Sequence, residues 1–76
     1  MPELTDDQRK ILGALAENGA MTALEISVKT LILPDEALSH VKVLAEEGYI
    51  EVHKLRSGPE QEVLILSEKG RSALRL

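Results

Sequence analysis

The last third of the chain carries the feature that most constrains its fold, a predicted β-hairpin that directly follows a run of short helical segments. Apolar and polar residues alternate over residues 49–55, and a mostly apolar run occupies residues 62–66. The segment between them contains Gly58 and Pro59, two residue types that favour turns. The pattern predicts two antiparallel strands joined by a polar turn at residues 56–60.

The first two helical segments each begin with a capping box, in which a threonine and a Gln or Glu three residues later bond each other's backbone N–H groups. The first box, at residues 5–8, opens a helix predicted over residues 6–17, which Gly19 ends. The second box, at residues 22–25, opens a shorter helix that we expect to stop near Leu31. The apolar residues of this second helix are less regularly spaced: Leu24, Ile26, Val28 and Leu31.

A third helix is predicted over residues 34–47. Pro34 suits the first turn, where its missing N–H is not needed, and Asp35 and Glu36 lie near the positive end of the helix dipole. Gly48 follows the C-terminal end, a usual position for glycine. The stripe expected to face the core consists of Leu38, Val41, Leu44 and Ala45.

Residues 68–76 predict a short closing helix, which Gly70 weakens by about 1 kcal/mol relative to alanine. These boundaries leave four apolar residues near the surface: Ile32, Val43, Leu55 and Leu76. If they cluster, they mark a partner or dimer surface.

A chain of 76 residues has room for a single domain over residues 1–76, and such a small domain buries only about 60% of its surface. A homodimer would bury more.

Composition argues against several classes of function. The chain has no cysteine, which excludes disulfides, thiolate metal sites and a cysteine nucleophile. Its two histidines do not form a helical metal-binding pair, and no phosphate-binding glycine loop or serine elbow is present. We therefore expect neither an enzyme nor a bound cofactor or metal. The acidic start and the lack of an apolar run of roughly 20 residues predict a cytoplasmic protein with no membrane partner.

The order of the elements resembles the winged helix-turn-helix domains of MarR, ArsR and PadR transcription regulators. Two junctions carry the likeness: residues 44–50 look like the exit from helix three into the wing, and residues 66–74 are similar to the return from the wing into the last helix. The fold class implied is mainly α with a small β-hairpin. It has a three-helix core, a two-stranded wing and a short C-terminal helix.

The resemblance implies that the chain binds double-stranded DNA and regulates transcription, with helix 34–47 in the major groove and the wing at residues 54–60 on the backbone. The candidate DNA contacts that it implies are Lys29, Ser39, His40, Lys42, Lys54 and Arg56. Lys54 and Arg56 are two residues apart and therefore share one face of a strand, as phosphate contacts at a hairpin tip require. The carboxylates of Asp35 and Glu36 either stabilise the helix start or accept hydrogen bonds from cytosine.

The net charge of −4 leaves a second hypothesis open, because phosphate contacts supply most non-specific DNA affinity. The alternative is a protein-interaction module without DNA binding, in which an acidic helix three and Val43 dock a basic protein partner. Ile32 stands in the turn between helices two and three, where the family commonly has glycine. A continuous positive stripe on the surface would favour DNA, and an unbroken acidic helix three would favour a protein.

Overall fold

The computed structural model describes residues 4–54 and 62–74, which form four α-helices and one two-stranded antiparallel sheet. In chain order the elements are α1 (Asp6–Asn18), α2 (Ala23–Thr30), α3 (Pro34–Glu46), β1 (Ile50–Lys54), β2 (Glu62–Leu66) and α4 (Glu68–Leu74). The predicted fold class, mainly α with a small β-hairpin, is confirmed. None of the helices in these two ranges is long and apolar enough to cross a membrane.

Both predicted capping boxes are formed. The Thr5 hydroxyl accepts a hydrogen bond from the backbone N–H of Gln8 at 3.1 Å, and the Gln8 side chain accepts one from the N–H of Thr5 at 2.9 Å. Thr22 and Glu25 form the same pair of hydrogen bonds. The N–H of Glu25 donates to the Thr22 hydroxyl at 3.2 Å, and the N–H of Thr22 donates to the Glu25 side chain at 2.9 Å. A cap of this kind stabilises a helix by about 1 kcal/mol. The starts of α1 and α2 are therefore fixed by local sequence, as the spacing predicts.

The core is aliphatic and lies between the helices and the inner face of the hairpin. Its buried residues are Ile11, Leu12, Leu15, Met21, Ile26, Ile32, Ala37, Val41, Leu44, Ile50, Leu64 and Leu66. Met21, just before α2, exchanges two backbone hydrogen bonds with Leu64 of β2, at 3.2 and 2.7 Å. This bridge attaches the hairpin to the helical core through β2, and β1 is the outer strand.

The buried face of α2 is formed by Ile26 and Ser27. Ile26 is buried, but three other apolar residues counted on the helix are exposed: Leu24, Val28 and Leu31. Ser27 turns inward instead, and its hydroxyl donates to the carbonyl oxygen of Ile32 at 2.6 Å. Leu24, Val28 and Leu31 are spaced by four and three residues, which is a helical spacing although all three are exposed. Such a spacing does not distinguish an inner stripe from an outer one.

The buried face of α3 is rotated slightly from the predicted stripe. Ala37, Val41 and Leu44 are buried, at a spacing of four and three residues, whereas Leu38 is nearly half exposed. Ala45, as predicted, packs against the core. Leu38 lies at the edge of the buried stripe, next to the hairpin side of the helix. α3 ends at Glu46, one residue earlier than predicted, and Glu47 is its C-terminal cap.

The apolar residues expected near the surface differ in their solvent exposure. Val43 is exposed, as predicted, but Ile32 is buried in the core. Ile32 is buried because Leu31, which precedes it, has a left-handed backbone with φ of +61° that reverses the chain after α2. Leu55 and Leu76 lie outside the described residues.

The start of α4 packs closely on the chain segment that leaves α3. Gly70 is buried, and a Cβ atom at this position would overlap the carbonyl oxygen of Tyr49 and Cδ1 of Leu66. Ser67 donates its hydroxyl hydrogen to the carbonyl oxygen of Gly48 at 2.6 Å. Close packing thus accounts for a glycine that helix propensity alone disfavours.

Candidate nucleic-acid interface

The exposed side of α3 is the helical surface that could enter a DNA groove. Residues 35, 39, 42 and 46 are spaced by four, three and four positions and are all exposed, so they form one stripe along the helix. Their side chains are two carboxylates, one hydroxyl and one ammonium: Asp35, Ser39, Lys42 and Glu46. The structure thus brings the candidates Ser39 and Lys42 together and places an acidic residue at each end of the stripe.

The turn between α2 and α3 sets the direction of this stripe. The hydrogen bond from Ser27 to the carbonyl oxygen of Ile32 closes the turn, and the N–H of Ala37 donates to the carbonyl oxygen of Leu33 at 2.8 Å. Leu31, and not Ile32, adopts the left-handed conformation that glycine favours. For a leucine this backbone costs roughly 1–2 kcal/mol. Ile32 lies in this turn, as predicted, and the left-handed residue is its neighbour Leu31.

His40 is separated from the exposed stripe. Its side chain is partly buried, and its Nε2 lies 3.7 Å from Oδ2 of Asp7 in α1. His40 therefore faces α1, whereas Ser39 and Lys42 are exposed. The sequence spacing did not show this, because the contact joins residues from two helices.

The basic residue at the end of β1 is exposed but has an acidic neighbour. Nζ of Lys54 lies 3.9 Å from Oε2 of Glu62, its partner in the strand register. The Lys54 side chain is 76% exposed, which leaves the ammonium accessible to a phosphate. Arg56, predicted to share its strand face, lies outside the described residues. Sequence reasoning did not single out Glu62, although the predicted strand boundaries place it near Lys54.

A groove of about 380 Å³ separates α3 from the hairpin. Its lining residues are Thr22, Ala23, Leu38, Val41, Lys42, Ala45, Glu46, Val52, Glu62 and Leu64. Lys42 therefore lies on the side of α3 that faces the hairpin. Lys29, in the last turn of α2, lines a different groove, together with Lys10 and Glu17 of α1.

Charge along this face alternates in sign. Lys42 lies between Asp35 and Glu46 on the α3 stripe, and Lys54 is opposed by Glu62. The described residues therefore do not form the continuous positive stripe that would favour DNA, nor an acidic helix three without interruption. Within residues 4–54 and 62–74, no group of three or more acidic or histidine side chains could hold a metal ion.

A family model and a viral protein each match a large part of this chain. A family model described as winged helix-turn-helix DNA-binding matches residues 5–51. An uncharacterised HTH-type transcriptional regulator, B-115 of Sulfolobus spindle-shape virus 1, is 43% identical over 47 residues, which are 62% of this chain and 41% of that protein. The family match runs from the start of α1 into β1 and so includes both helices around the turn.

Solved structures show the same fold. BpsR of Bordetella bronchiseptica, whose DNA binding is regulated by 6-hydroxynicotinic acid, superposes with a TM-score of 0.89 at 21% identity, over 97% of this chain and 58% of its own. NMB1585, a MarR family regulator from Neisseria meningitidis, superposes with a TM-score of 0.82 at 25% identity, over 95% of this chain and 51% of its own. The chain thus spans about half the length of these relatives. The winged-helix fold inferred from the order of elements is confirmed.

Proposed function

The chain belongs to the winged helix-turn-helix DNA-binding family, and from this premise we propose that it regulates transcription by binding double-stranded DNA. The observation that carries the proposal is the match over residues 5–51, which includes α2, the turn and α3. The exposed stripe on α3 supports it, since Ser39 and Lys42 lie on that stripe and are accessible to a duplex.

In the proposed mechanism, α3 lies in the major groove and the hairpin lies along the flanking backbone. Lys42 donates to guanine O6 and N7, and Ser39 donates or accepts according to the base. Lys54, together with Arg56 and Lys29, contacts phosphates. Such contacts fix the register of the protein on the duplex but carry little sequence information.

Several properties of the whole protein belong to this proposal. We propose that it acts as a homodimer, because two copies would read two half-sites about one helical turn apart. We also propose that residues 1–76 form one winged-helix domain, and that the protein binds without an enzymatic step. The proposed place of action is the cytoplasm.

Charge-neutralising variants test the proposed interface. We expect Lys42→Gln and Lys54→Gln each to weaken binding to a fluorescent duplex by about fivefold to tenfold at low salt, because each removes one cation from the DNA face. The matched control is Arg71→Gln, which neutralises an exposed cation in α4, a helix with no proposed DNA contact. An equal loss in all three variants would show only a net-charge effect, and no loss in Lys42→Gln or Lys54→Gln would contradict the interface.

The acidic residues on α3 favour a second candidate function, the docking of a protein without DNA binding. Asp35, Glu36 and Glu46 are exposed and form no ion pair with any residue in 4–54 or 62–74. Such a surface attracts a positively charged partner and repels phosphate. A folded protein that fails to bind any duplex at low salt would favour this function.

A further inference from the structure

Four apolar side chains are exposed in succession along α2 and the turn that follows it. The exposed fractions are 67% for Leu24, 66% for Val28, 91% for Leu31 and 66% for Leu33. Leu24 and Val28 are one helical turn apart on α2, and Leu31 and Leu33 follow in the turn after it. We call these four residues the α2 apolar surface. Clustered apolar area on the order of several hundred Å² commonly marks a binding site.

Leu31 is the least explained residue of this surface. It has a left-handed backbone, with φ of +61°, and its side chain is almost fully in water. Glycine or asparagine adopts this conformation more easily. The Leu31 side chain therefore contributes almost no stability through packing, and its backbone is strained. Strain of this kind is often kept at positions that act in binding.

The charged residues nearest in sequence to the α2 apolar surface are mainly negative. Glu25 follows Leu24 on α2, and Asp35 and Glu36 begin α3 directly after the turn; all three are exposed. Lys29 is the nearby cation. A second copy of this chain would bring the same carboxylates, and an anionic membrane or a phosphate backbone would be repelled. The complementary occupant is apolar on one side and positively charged on the other.

We propose that the α2 apolar surface docks a lysine- or arginine-rich amphipathic helix of another protein. Apolar residues of that helix would cover Leu24, Val28 and Leu31, and its cations would face Glu25, Asp35 and Glu36. Leu33 directly precedes the first turn of α3, so the docked helix would reach the start of the helix proposed to read DNA. Leu24, Val28, Leu31 and Leu33 have no role in the proposed DNA contacts, whereas Asp35 also lies on the exposed α3 stripe.

The test uses a synthetic peptide of about 18 residues, or five helical turns, built from leucine and lysine with the leucines on one face. A matched peptide carries glutamate at every lysine position. The peptides are titrated into isotopically labelled protein, and amide shifts are followed along the chain. We expect the lysine peptide to shift residues 23–36, and the glutamate peptide to leave them unchanged.

Variants assign the binding to the surface. Leu31→Asn keeps a residue that tolerates the left-handed backbone, so the protein stays folded, and we expect affinity for the lysine peptide to fall by about tenfold. The control is Val52→Asn, which changes an exposed valine on β1 outside this surface and should keep the affinity. Equal binding of both peptides, no binding, or an unchanged affinity in Leu31→Asn would overturn the proposal. Concentration-dependent shifts of residues 23–36 without peptide would assign the surface to a second copy and overturn it too.

Discussion

Lys54 and Glu62 face each other across the hairpin, with Nζ of Lys54 3.9 Å from Oε2 of Glu62. Both side chains are substantially exposed, so the pair contributes at most about 1 kcal/mol to stability. Its main effect is on charge, because Glu62 offsets the cation that we propose as a phosphate contact of the hairpin. The hairpin therefore attracts phosphate less strongly than a lysine alone would.

Removing this carboxylate should strengthen DNA binding. We expect Glu62→Gln to raise the affinity for a duplex by about threefold to tenfold at low salt, with a change in unfolding free energy within about 0.5 kcal/mol. Fluorescence anisotropy measures the affinity and urea titration the stability. Glu68→Gln removes an exposed carboxylate from α4 and is the control. If both variants gain equally, net charge and not the Lys54 pair is responsible.

Gly70 should not tolerate a side chain. Although alanine is the better helix former by about 1 kcal/mol, its Cβ would overlap Tyr49 and Leu66, so we expect Gly70→Ala to lower the unfolding free energy by about 1–3 kcal/mol. Gly13, inside α1, is the matched control, because a Cβ there meets no atom within 4 Å. Gly13→Ala should stabilise by roughly 0.5–1 kcal/mol. Urea titrations measure both variants. Changes of opposite sign in unfolding free energy would support the packing argument, and stabilisation by both substitutions would refute it.

The left-handed backbone of Leu31 should make its replacement stabilising. We expect Leu31→Asn to raise the unfolding free energy by about 0.5–1 kcal/mol, because asparagine tolerates this conformation and little buried area is lost. Leu24→Asn replaces an equally apolar, exposed residue within α2 and should be neutral or slightly destabilising. Thermal unfolding of the unchanged protein, Leu31→Asn and Leu24→Asn measures these differences in stability. A loss of stability in Leu31→Asn would mean that the leucine is packed in solution.

The hydroxyl of Ser27 should matter both for stability and for the position of α3. Its hydrogen bond to the carbonyl oxygen of Ile32 is buried, so Ser27→Ala leaves that acceptor without its donor and should cost about 1–3 kcal/mol. Ser39→Ala removes an exposed hydroxyl from α3 and should change stability by less than about 0.5 kcal/mol. Equal effects of the two substitutions in denaturant titrations would contradict the role of Ser27 in the turn.

Local signals in the sequence were sufficient for the helix starts. The boxes at Thr5 and Thr22 involve residues three positions apart, so spacing alone identifies them. β2 also begins and ends where the apolar run does. The inward face of α2 could not be found in this way, because Leu24 and Val28 repeat at a helical spacing although they face solvent.

The candidate site depended more on contacts between elements. The exposed stripe with Ser39 and Lys42 follows from the helix period. The neighbour of His40, however, is Asp7 from α1, and the neighbour of Lys54 is fixed by the strand register. The need for glycine at position 70 likewise arises from Tyr49 and Leu66, which helix propensity does not consider.

The most direct test of the DNA-binding account is a titration of the isotopically labelled protein with a generic duplex at low salt, repeated at higher salt. We expect amide shifts concentrated in the exposed residues of α3 and at Lys54, and we expect them to weaken as salt rises because counterions compete for the phosphates. The α4 residues serve as an internal reference and should remain unshifted. A folded protein that shows no shifts with duplex at low salt, or shifts confined to α4, would contradict the account.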